Sequence, residues 1–183
     1  MGAEPAVALH VEPLDAGSER LAVLFDAHEA RLYRLARRLV SSADAAHDLV
    51  QDTFFRAART LGAVPEGLQN EEAWLVRVLI NIRRDEWRRA KVRQRSAAAL
   101  RADATTYPST LESALMAKQA VWSALDALHP RRRALIVMHE LEGMTVSAIA
   151  STMGVARVTV QWHLSMARRD LRRLLAPHMG TRR

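Results

Sequence analysis

The stretch Thr145-Val-Ser-Ala-Ile-Ala-Ser-Thr-Met-Gly-Val-Ala-Arg-Val-Thr-Val-Gln-Trp-His-Leu164 has the spacing of a helix-turn-helix. Ala150 is small enough to let a second helix cross the first closely. Gly154 suits the tight turn between the two helices, because a residue without a Cβ can adopt positive φ. Val160 would then anchor the second helix on the first. Since the second helix of this motif enters the DNA major groove, the stretch predicts sequence-specific DNA binding.

Residue spacing divides the second helix of the motif into two faces. The apolar face, predicted to be buried, consists of Val160, Leu164, Ala167, Leu171 and Leu174. The opposite face consists of Val158, Gln161, Trp162, Ser165, Met166, Arg169 and Arg172. An amphipathic helix with a solvated outer face is the alternative interpretation. However, an outward Trp and Met are poor choices for plain solvent exposure, and the arginines cluster where phosphates would lie. The pattern favours DNA contact.

The composition of the 183-residue chain, with 49% hydrophobic and 26% charged residues, is typical of a soluble globular protein. No apolar run reaches the roughly 18 residues that a membrane span needs. The acidic N-terminus lacks the positive start and apolar centre of a signal peptide. The absence of cysteine excludes disulfides, thiolate metal sites and thiol nucleophiles. We therefore expect a cytoplasmic protein without a membrane partner.

The formal net charge of +7 favours a polyanionic partner, and the charge is distributed unevenly along the chain. Residues 1–30 are acidic, with six carboxylates against the single Arg20. Residues 83–95 and 157–183 are both strongly basic. Two separated basic stretches suggest two contacts with one nucleic acid.

Periodicity predicts an all-α chain of two helical domains joined by a linker. Residues 1–17 are expected to form a flexible leader, residues 18–95 the first domain, residues 96–110 the linker, residues 111–176 the second domain and residues 177–183 a basic tail. The first domain would contain helices at about 18–39, 43–61 and 71–95, with Ser18 as the first N-cap and a loop at 62–70. The second would contain helices near 111–128, 130–140, 146–153 and 156–176. The alanines at the start of the linker could extend the preceding helix.

The third predicted helix carries a polar and basic stripe on one face. Its members Arg77, Asn81, Arg84 and Arg88 lie four, three and four residues apart. A solvated surface is the alternative interpretation, but the nearby acids Asp85 and Glu86 lie off the stripe. Like charges at this spacing repel each other by a few tenths of a kcal/mol per pair, roughly, and phosphates would relieve that repulsion. Asn81 adds a donor and an acceptor for a base edge.

The second predicted helix has a mixed outer face formed by Asp48, Asp52, Phe55 and Arg59. Its buried side would consist of Ala46, Val50, Phe54, Ala57 and Leu61. An exposed Phe between two Asp residues suits a protein interface better than DNA, because phosphates would repel the carboxylates. The alternative is an ordinary surface helix with Phe55 covered by a neighbouring loop.

Three motifs in order give the chain its resemblance to a known family. They are Ala46-His-Asp-Leu-Val-Gln-Asp-Thr-Phe54, Ala73-Trp-Leu-Val-Arg-Val-Leu-Ile-Asn81 and the helix-turn-helix. With these motifs the chain resembles the extracytoplasmic-function (ECF) sigma factors of bacterial RNA polymerase. The resemblance covers roughly residues 18–176.

The resemblance implies a role for each region. The first domain would bind the β′ clamp of core RNA polymerase through Asp48, Gln51, Asp52 and Phe55. Residues 64–72 and the third helix would open and read the −10 promoter element as a single strand. The side chains implied at the −10 element are Trp74, Arg77, Asn81, Arg84 and Arg88. The second domain would read the −35 element and contact the β flap, and an anti-sigma factor is a further possible partner. The resemblance implies no catalysis, no cofactor and no metal, since the polymerase performs the chemistry.

The recognition helix departs from the family pattern G-T-V-K/R-S-R-L-x-R-A-R. Gln161, His163 and Met166 replace basic residues, and Val158 replaces the glycine. The residues expected at the −35 element are Arg157, Thr159, Gln161, Trp162, Ser165, Met166, Arg168 and Arg169. Since Arg bidentate to guanine is the commonest specific contact and Gln pairs with adenine, these changes predict an unusual −35 preference.

Other function classes explain fewer of these features. A dimeric repressor or activator would use the helix-turn-helix on an operator, but would leave the Asp48–Phe55 face and the basic stripe unexplained. A regulator that only sequesters polymerase would show promoter-independent binding. An enzyme is weakly supported, because the seven histidines show no H-E-x-x-H spacing and there is no glycine-rich phosphate loop.

Overall fold

The computed structural model describes residues 15–98 and 113–179, which fold as seven α-helices. They are α1 (Ala16–Leu39), α2 (Ala43–Arg59), α3 (Leu68–Ala98), α4 (Ser113–Ala127), α5 (Pro130–Ile136), α6 (Val146–Met153) and α7 (Arg157–Met179). A short 3-10 turn, Leu61–Ala63, follows α2, and a π-helical turn, Val137–Leu141, follows α5. Neither described range contains a strand, and the all-α prediction is confirmed.

Side-chain caps set the starts of several helices. The predicted N-cap Ser18 is wrong: α1 begins at Ala16, and the Asp15 carboxylate accepts from the Ser18 backbone N–H at 2.7 Å. That hydrogen bond lowers the pKa of the Asp15 carboxyl. Ser42 caps α2 by accepting from the Ala45 N–H at 3.1 Å. Each cap satisfies a backbone donor that the first helical turn leaves without a partner.

The helices α1, α2 and α3 pack around an apolar core. The largest fully buried side chains in this half are Leu32, Leu35, Leu39, Leu49, Leu75, Leu79 and Ile80. His28 is also buried and contacts the Glu71 carboxylate at 3.1 Å. Phe25 of α1 is 43% exposed, and its ring contacts the buried Phe54 ring, with centroids 4.8 Å apart.

Helix α3 is longer than the periodicity predicted, and much of its surface is buried. It begins at Leu68 instead of Glu71, and it continues to Ala98 through the alanines that the sequence allowed as an extension. Leu75, Val76, Leu79 and Ile80 are all buried. The wide apolar surface allows α3 to pack against two groups of helices at once.

The leader up to residue 14, linker residues 99–110 and the tail from residue 180 lie outside the described residues.

The C-terminal helices form the expected helix-turn-helix. Gly154 ends α6 in the left-handed conformation at φ 64°, and its N–H donates toward the Ala150 and Ser151 carbonyls. Ala150 and Val160 are buried where α6 meets α7. The predicted helix at 130–140 is wrong in its second half, because α5 ends at Ile136 and the backbone widens into the π-helical turn.

The N-terminal and C-terminal helices pack against each other, and their buried residues form one continuous cluster. Helix α3 contacts α5 and α6, and α1 contacts α5. The sequence predicted two helical domains but not their mutual packing. The boundaries proposed for the domains and the linker remain predictions.

In the described ranges we find no helix with the length and apolar character required to cross a membrane.

The left-handed turn at Gly154 leads to a test of stability. The change Gly154→Ala should lower the free energy of unfolding by about 1–2 kcal/mol, because a Cβ is disfavoured at positive φ. The control Gly62→Ala should leave the free energy of unfolding unchanged or raise it slightly, because Gly62 does not have positive φ. At both positions an added Cβ would meet no atom within 4 Å, so the two variants differ in backbone conformation and not in steric contact. Urea denaturation of both variants measures the difference. Equal decreases in the two variants would contradict the assigned role of the turn.

Candidate nucleic-acid and polymerase interfaces

The outer face of the recognition helix α7 is open to solvent. Val158 is 68% exposed and Trp162 is 53% exposed, although both are large and apolar. Gln161, Ser165 and Arg169 are exposed beside them, whereas Met166 is half-buried. On the other side of the helix, Val160, Leu164 and Ala167 are buried. The division into two faces agrees with the sequence spacing, and it leaves an exposed surface that carries both apolar and basic side chains.

Trp162 is held in place by a side chain that the sequence analysis did not identify. The Arg132 guanidinium carbon lies 5.6 Å from the centroid of the Trp162 ring, within the range of a cation–π contact. Arg132 is itself fixed by an ion pair with Asp170 at 2.6 Å. The only sequence signal for this role was the position of Arg132 in a run of three arginines. The Trp162 ring also meets the His163 ring edge-on, with centroids 4.8 Å apart, so two side chains contact the exposed indole.

The arginines of α7 differ in their pairing. Arg168 donates to Glu140 at 2.7 Å, and this hydrogen bond lowers the pKa of the Glu140 carboxyl. Among the described residues, no acid forms an ion pair with Arg157, Arg169 or Arg172. These three side chains can reach a phosphate directly, whereas Arg168 would first have to leave Glu140.

The basic stripe on α3 is less uniform than the sequence predicted. Asn81 and Arg88 are exposed, but Arg84 is half-buried and lies 3.4 Å from the Asp85 carboxylate. Asp85 also lies 4.0 Å from Arg88, so the expectation that Asp85 stays off the stripe is wrong, whereas Glu86 pairs with Arg83, outside the stripe. The stripe is therefore partly neutralised within its own helix, and repulsion between its arginines is correspondingly reduced.

Arg77, the first cation of the stripe, contacts the other half of the protein. Its Nη1 donates to the Thr152 carbonyl oxygen of α6 at 2.7 Å. Spacing along α3 could not have revealed this contact, because the acceptor is a backbone atom 75 positions later in the chain. Arg77 is therefore half-buried and hydrogen-bonded to the C-terminal half, whereas Asn81 and Arg88 are exposed.

A groove of 780 Å³ lies between α2 and α3. Its apolar lining includes Trp74, Val78 and Ile82 from α3 together with Phe55 from α2. Phe55 is 67% exposed, so a neighbouring described loop does not cover it. The structure places Trp74 together with Phe55 in the lining of this groove.

Charged side chains of both signs surround the groove. Asp52, Glu86 and Arg89 contribute to its lining, and Asp48 and Gln51 are exposed on α2. Burial, more than any single neighbour, raises the pKa of the Glu86 carboxyl. An apolar floor with a charged rim is the usual anatomy of a protein–protein contact. No metal-binding group of three or more His, Cys, Asp or Glu side chains is found within residues 15–98 and 113–179.

Family comparisons match both halves of the chain. The model of sigma-70 region 2 matches residues 24–93, and the model of sigma-70 region 4 matches residues 118–171. The ECF RNA polymerase sigma factor SigE of Mycolicibacterium smegmatis is 34% identical over 160 residues, which are 82% of this chain and 60% of that protein. SigL of Mycobacterium tuberculosis is 32% identical over 151 residues, which are 81% of this chain and 85% of that protein.

Solved structures agree with the sequence relatives. The sigma factor RpoE of Bartonella quintana, in complex with the anti-sigma factor NepR, has a TM-score of 0.55 and 26% identity. That match covers 90% of this chain and 98% of the other. The fold of CnrH, in complex with the cytosolic domain of CnrY, is also similar, with a TM-score of 0.54. With both sigma-70 regions matched in order and relatives above 30% identity along most of its length, the chain belongs to the ECF sigma factors of bacterial RNA polymerase.

Proposed function

We propose that the chain is a promoter-specificity subunit: it binds core RNA polymerase and directs transcription initiation by reading the −10 and −35 elements. The observation that carries the proposal is the presence, in one chain, of sigma-70 region 2 with an exposed mixed face and region 4 with an exposed recognition helix. The chain spans 60% of the length of SigE, so the activity is assigned here from the two matched regions.

The decisive experiment is transcription in vitro from a library of genomic fragments. Core polymerase with this protein should start at a defined set of positions that share upstream elements, and core polymerase alone should not. A dimeric operator-binding regulator would bind DNA without polymerase and would not direct core polymerase to new start sites.

The polymerase contact is assigned to the outer face of α2. Asp48, Gln51, Asp52 and Phe55 are all exposed there, and Phe55 borders the groove against α3. A large apolar side chain surrounded by carboxylates can bury its ring in a partner while the acids pair with that partner's basic residues. This combination fits the β′ clamp, and it does not fit a phosphate backbone.

The polymerase face can be tested with a double variant. The changes Asp52→Lys and Phe55→Ala should abolish co-elution with core polymerase while leaving helicity unchanged, because truncating an aromatic anchor at an interface typically costs about 2 kcal/mol or more. The matched control Asp26→Lys with Val23→Ala changes the same charge and removes another exposed apolar side chain, this time on α1. The control should still co-elute. Loss of co-elution in both variants, or in neither, would remove the argument for the α2 face.

The −10 contact is assigned to the third helix and the loop before it. Asn81 is exposed and can both donate to and accept from a base edge, whereas Arg84 and Arg88 can only donate, as to phosphates. Trp74 would offer its ring to an unpaired base at the end of the groove. Arg77 would join them once it is released from Thr152.

The roles on α3 predict different responses to substitution. Asn81→Ala should weaken open-complex formation selectively at cognate promoters, because the variant cannot form the hydrogen bonds to a base edge. Arg88→Ala should weaken all promoters alike and reduce the salt slope by roughly one unit, as expected when one phosphate is no longer neutralised. Salt titrations on cognate and altered −10 sequences distinguish the two. If both variants bind every sequence equally weakly, Asn81 does not read a base.

The −35 contact is assigned to the exposed face of α7 and the turn before it. Arg157, Arg168 and Arg169 would contact phosphates, while Gln161 and Trp162 would face the base edges. Thr159, Ser165 and Met166 complete the surface. The amide of Gln161 matches N6 and N7 of adenine, and the indole of Trp162 offers an apolar face with a single N–H donor.

Selection of −35 elements from randomised promoters tests whether Gln161 contacts a base. The change Gln161→Ala should cost about 1–3 kcal/mol of discrimination at one adenine, and Gln161→Arg should move the preference toward guanine. The exposed Gln119 of α4 provides the control, since Gln119→Ala should leave the selected sequence unchanged. An unaltered preference in Gln161→Arg would mean that α7 docks in another register.

Sigma factors act as regulatory subunits, and we assign no catalytic step, cofactor or metal to this chain; it would act on polymerase in the cytoplasm. We also propose an anti-sigma factor as a partner, because the sigma factor RpoE of Bartonella quintana was solved in complex with one. The β flap is the proposed contact of the C-terminal helices on polymerase.

A further inference from the structure

An arginine of α5 lies over the exposed tryptophan of the recognition helix. The Arg132 guanidinium carbon is 5.6 Å from the centroid of the Trp162 ring, and Trp162 is 53% exposed. The face of an indole carries negative partial charge, so it attracts a cation at this distance, and tryptophan does so more strongly than the other aromatic residues. Since the guanidinium lies over one face of the ring, a partner can reach the opposite face and the edges.

The guanidinium that lies over Trp162 is itself fixed. Arg132 Nη1 donates to Asp170 Oδ2 at 2.6 Å, and the two side chains are 27% and 19% exposed. Asp170 lies about two helical turns beyond Trp162, so Arg132 contacts the recognition helix α7 at two levels. A short, charge-assisted hydrogen bond restricts the rotamers of a long side chain that would otherwise be flexible. The cation is therefore held where the indole packs against it.

The three successive arginines of α5 have different partners. Arg133 is buried, and its guanidinium donates to Asp126 and lies 5.5 Å from the Trp122 ring. Arg131 is half-buried, and no acid in the described ranges forms an ion pair with it. Arg132 is the one of the three that pairs with a ring and a carboxylate of α7. Arg131, with the same charge at the next position, is therefore a matched control for it.

The surface around Trp162 limits the base that its ring can contact. Val158 lies about one helical turn before Trp162 and is 68% exposed, so two apolar side chains are neighbours on the outer face of α7. In the major groove thymine is the base that presents a methyl group, and its O4 acceptor lies beside it. An indole matches this pair, because its ring is apolar and its N–H donates but does not accept. Adenine would leave its N6 donor without a partner on the indole.

We propose that Arg132 is a positioning residue for promoter recognition: it holds the Trp162 indole in one orientation, in which the free face of the ring packs on the C5-methyl of a thymine in the −35 element. The thymine contact rests on the proposed reading of the −35 element by α7, whereas the positioning of the ring does not. Arg132 contacts no base in this arrangement and acts through the ring.

The positioning is measured first, on the free protein. When fluorotryptophan is incorporated, the four tryptophans give separate fluorine NMR resonances, and the resonance that Trp162→Phe removes belongs to Trp162. Arg132→Gln should move this resonance toward the position of free fluorotryptophan, because the ring loses the charge over its face and samples more rotamers. Asp170→Asn should move it less in the same direction, and it serves as a second variant should Arg132→Gln fail to fold.

Arg131→Gln removes the same charge from the same helix and should leave the Trp162 resonance in place. The Trp74 resonance, from the groove between α2 and α3, provides an internal reference. An unchanged Trp162 resonance in Arg132→Gln, or an equal shift in Arg131→Gln, would overturn the positioning.

The second measurement tests the thymine contact with core polymerase and this protein together, on a promoter obtained from the −35 selection. Each thymine of the −35 element is replaced in turn by uracil, which lacks the C5-methyl. One replacement should weaken binding about fourfold, the effect of one buried methyl group. Trp162→Ala and Arg132→Gln should each reduce this ratio to less than about twofold, while Arg131→Gln should keep it at about fourfold.

A purely structural or phosphate-binding role of Arg132 would weaken thymine and uracil promoters alike. An unchanged ratio in Arg132→Gln therefore overturns the proposal, and so does the absence of any uracil-sensitive position with the unmodified protein. If the selection yields no −35 element at all, the proposed function fails together with the thymine contact, while the fluorine spectra still decide whether Arg132 positions the ring.

Discussion

Burial of α3 on more than one side is the constraint from which the rest of the structure follows. Leu75, Val76, Leu79 and Ile80 are all buried, and this surface is wide enough to pack against α1, α2, α5 and α6. Two exposed parts of the helix then remain available to partners: the edge that borders the groove with α2, and the polar stripe. Both candidate interfaces of the N-terminal half are built on what the core leaves exposed. A loss of apolar volume here would therefore disturb both surfaces together.

Features that depend on local spacing could be predicted from the sequence. The helix-turn-helix follows from a small residue, a glycine and an apolar anchor at fixed intervals, and the structure has Ala150, Gly154 and Val160 in those roles. The exposure of Phe55 and Trp162 also follows from the 3.6-residue period. Helix boundaries were predicted less well, because a cap such as Asp15 competes with other polar residues only one turn away.

Contacts between distant segments could not be predicted from the sequence. Arg132 beneath Trp162, Glu142 between two arginines of α1, and the Thr152 carbonyl at Arg77 all join residues that no periodic pattern relates. The stripe on α3 was predicted as a free basic surface for the same reason. Spacing places Arg84 on one helix face, but rotamers and neighbours decide that it meets Asp85. Sequence patterns thus indicated the candidate surfaces, and tertiary packing determined which of their side chains are exposed and unpaired.

The chemistry of the junction between the halves suits a contact that can open. The buried apolar residues of the two halves form one continuous cluster, and beside it part of the junction consists of arginines that meet a carboxylate and backbone carbonyls. Such groups regain hydration when the halves separate, so opening costs less than exposing an equal apolar area. The contact still fixes how the halves pair, because the Glu142 carboxylate can stay buried only while guanidinium groups donate hydrogen bonds to it. The guanidinium of Arg77 can donate to a phosphate oxygen as well as to a carbonyl oxygen, so its hydrogen bond to Thr152 is one that another acceptor could replace.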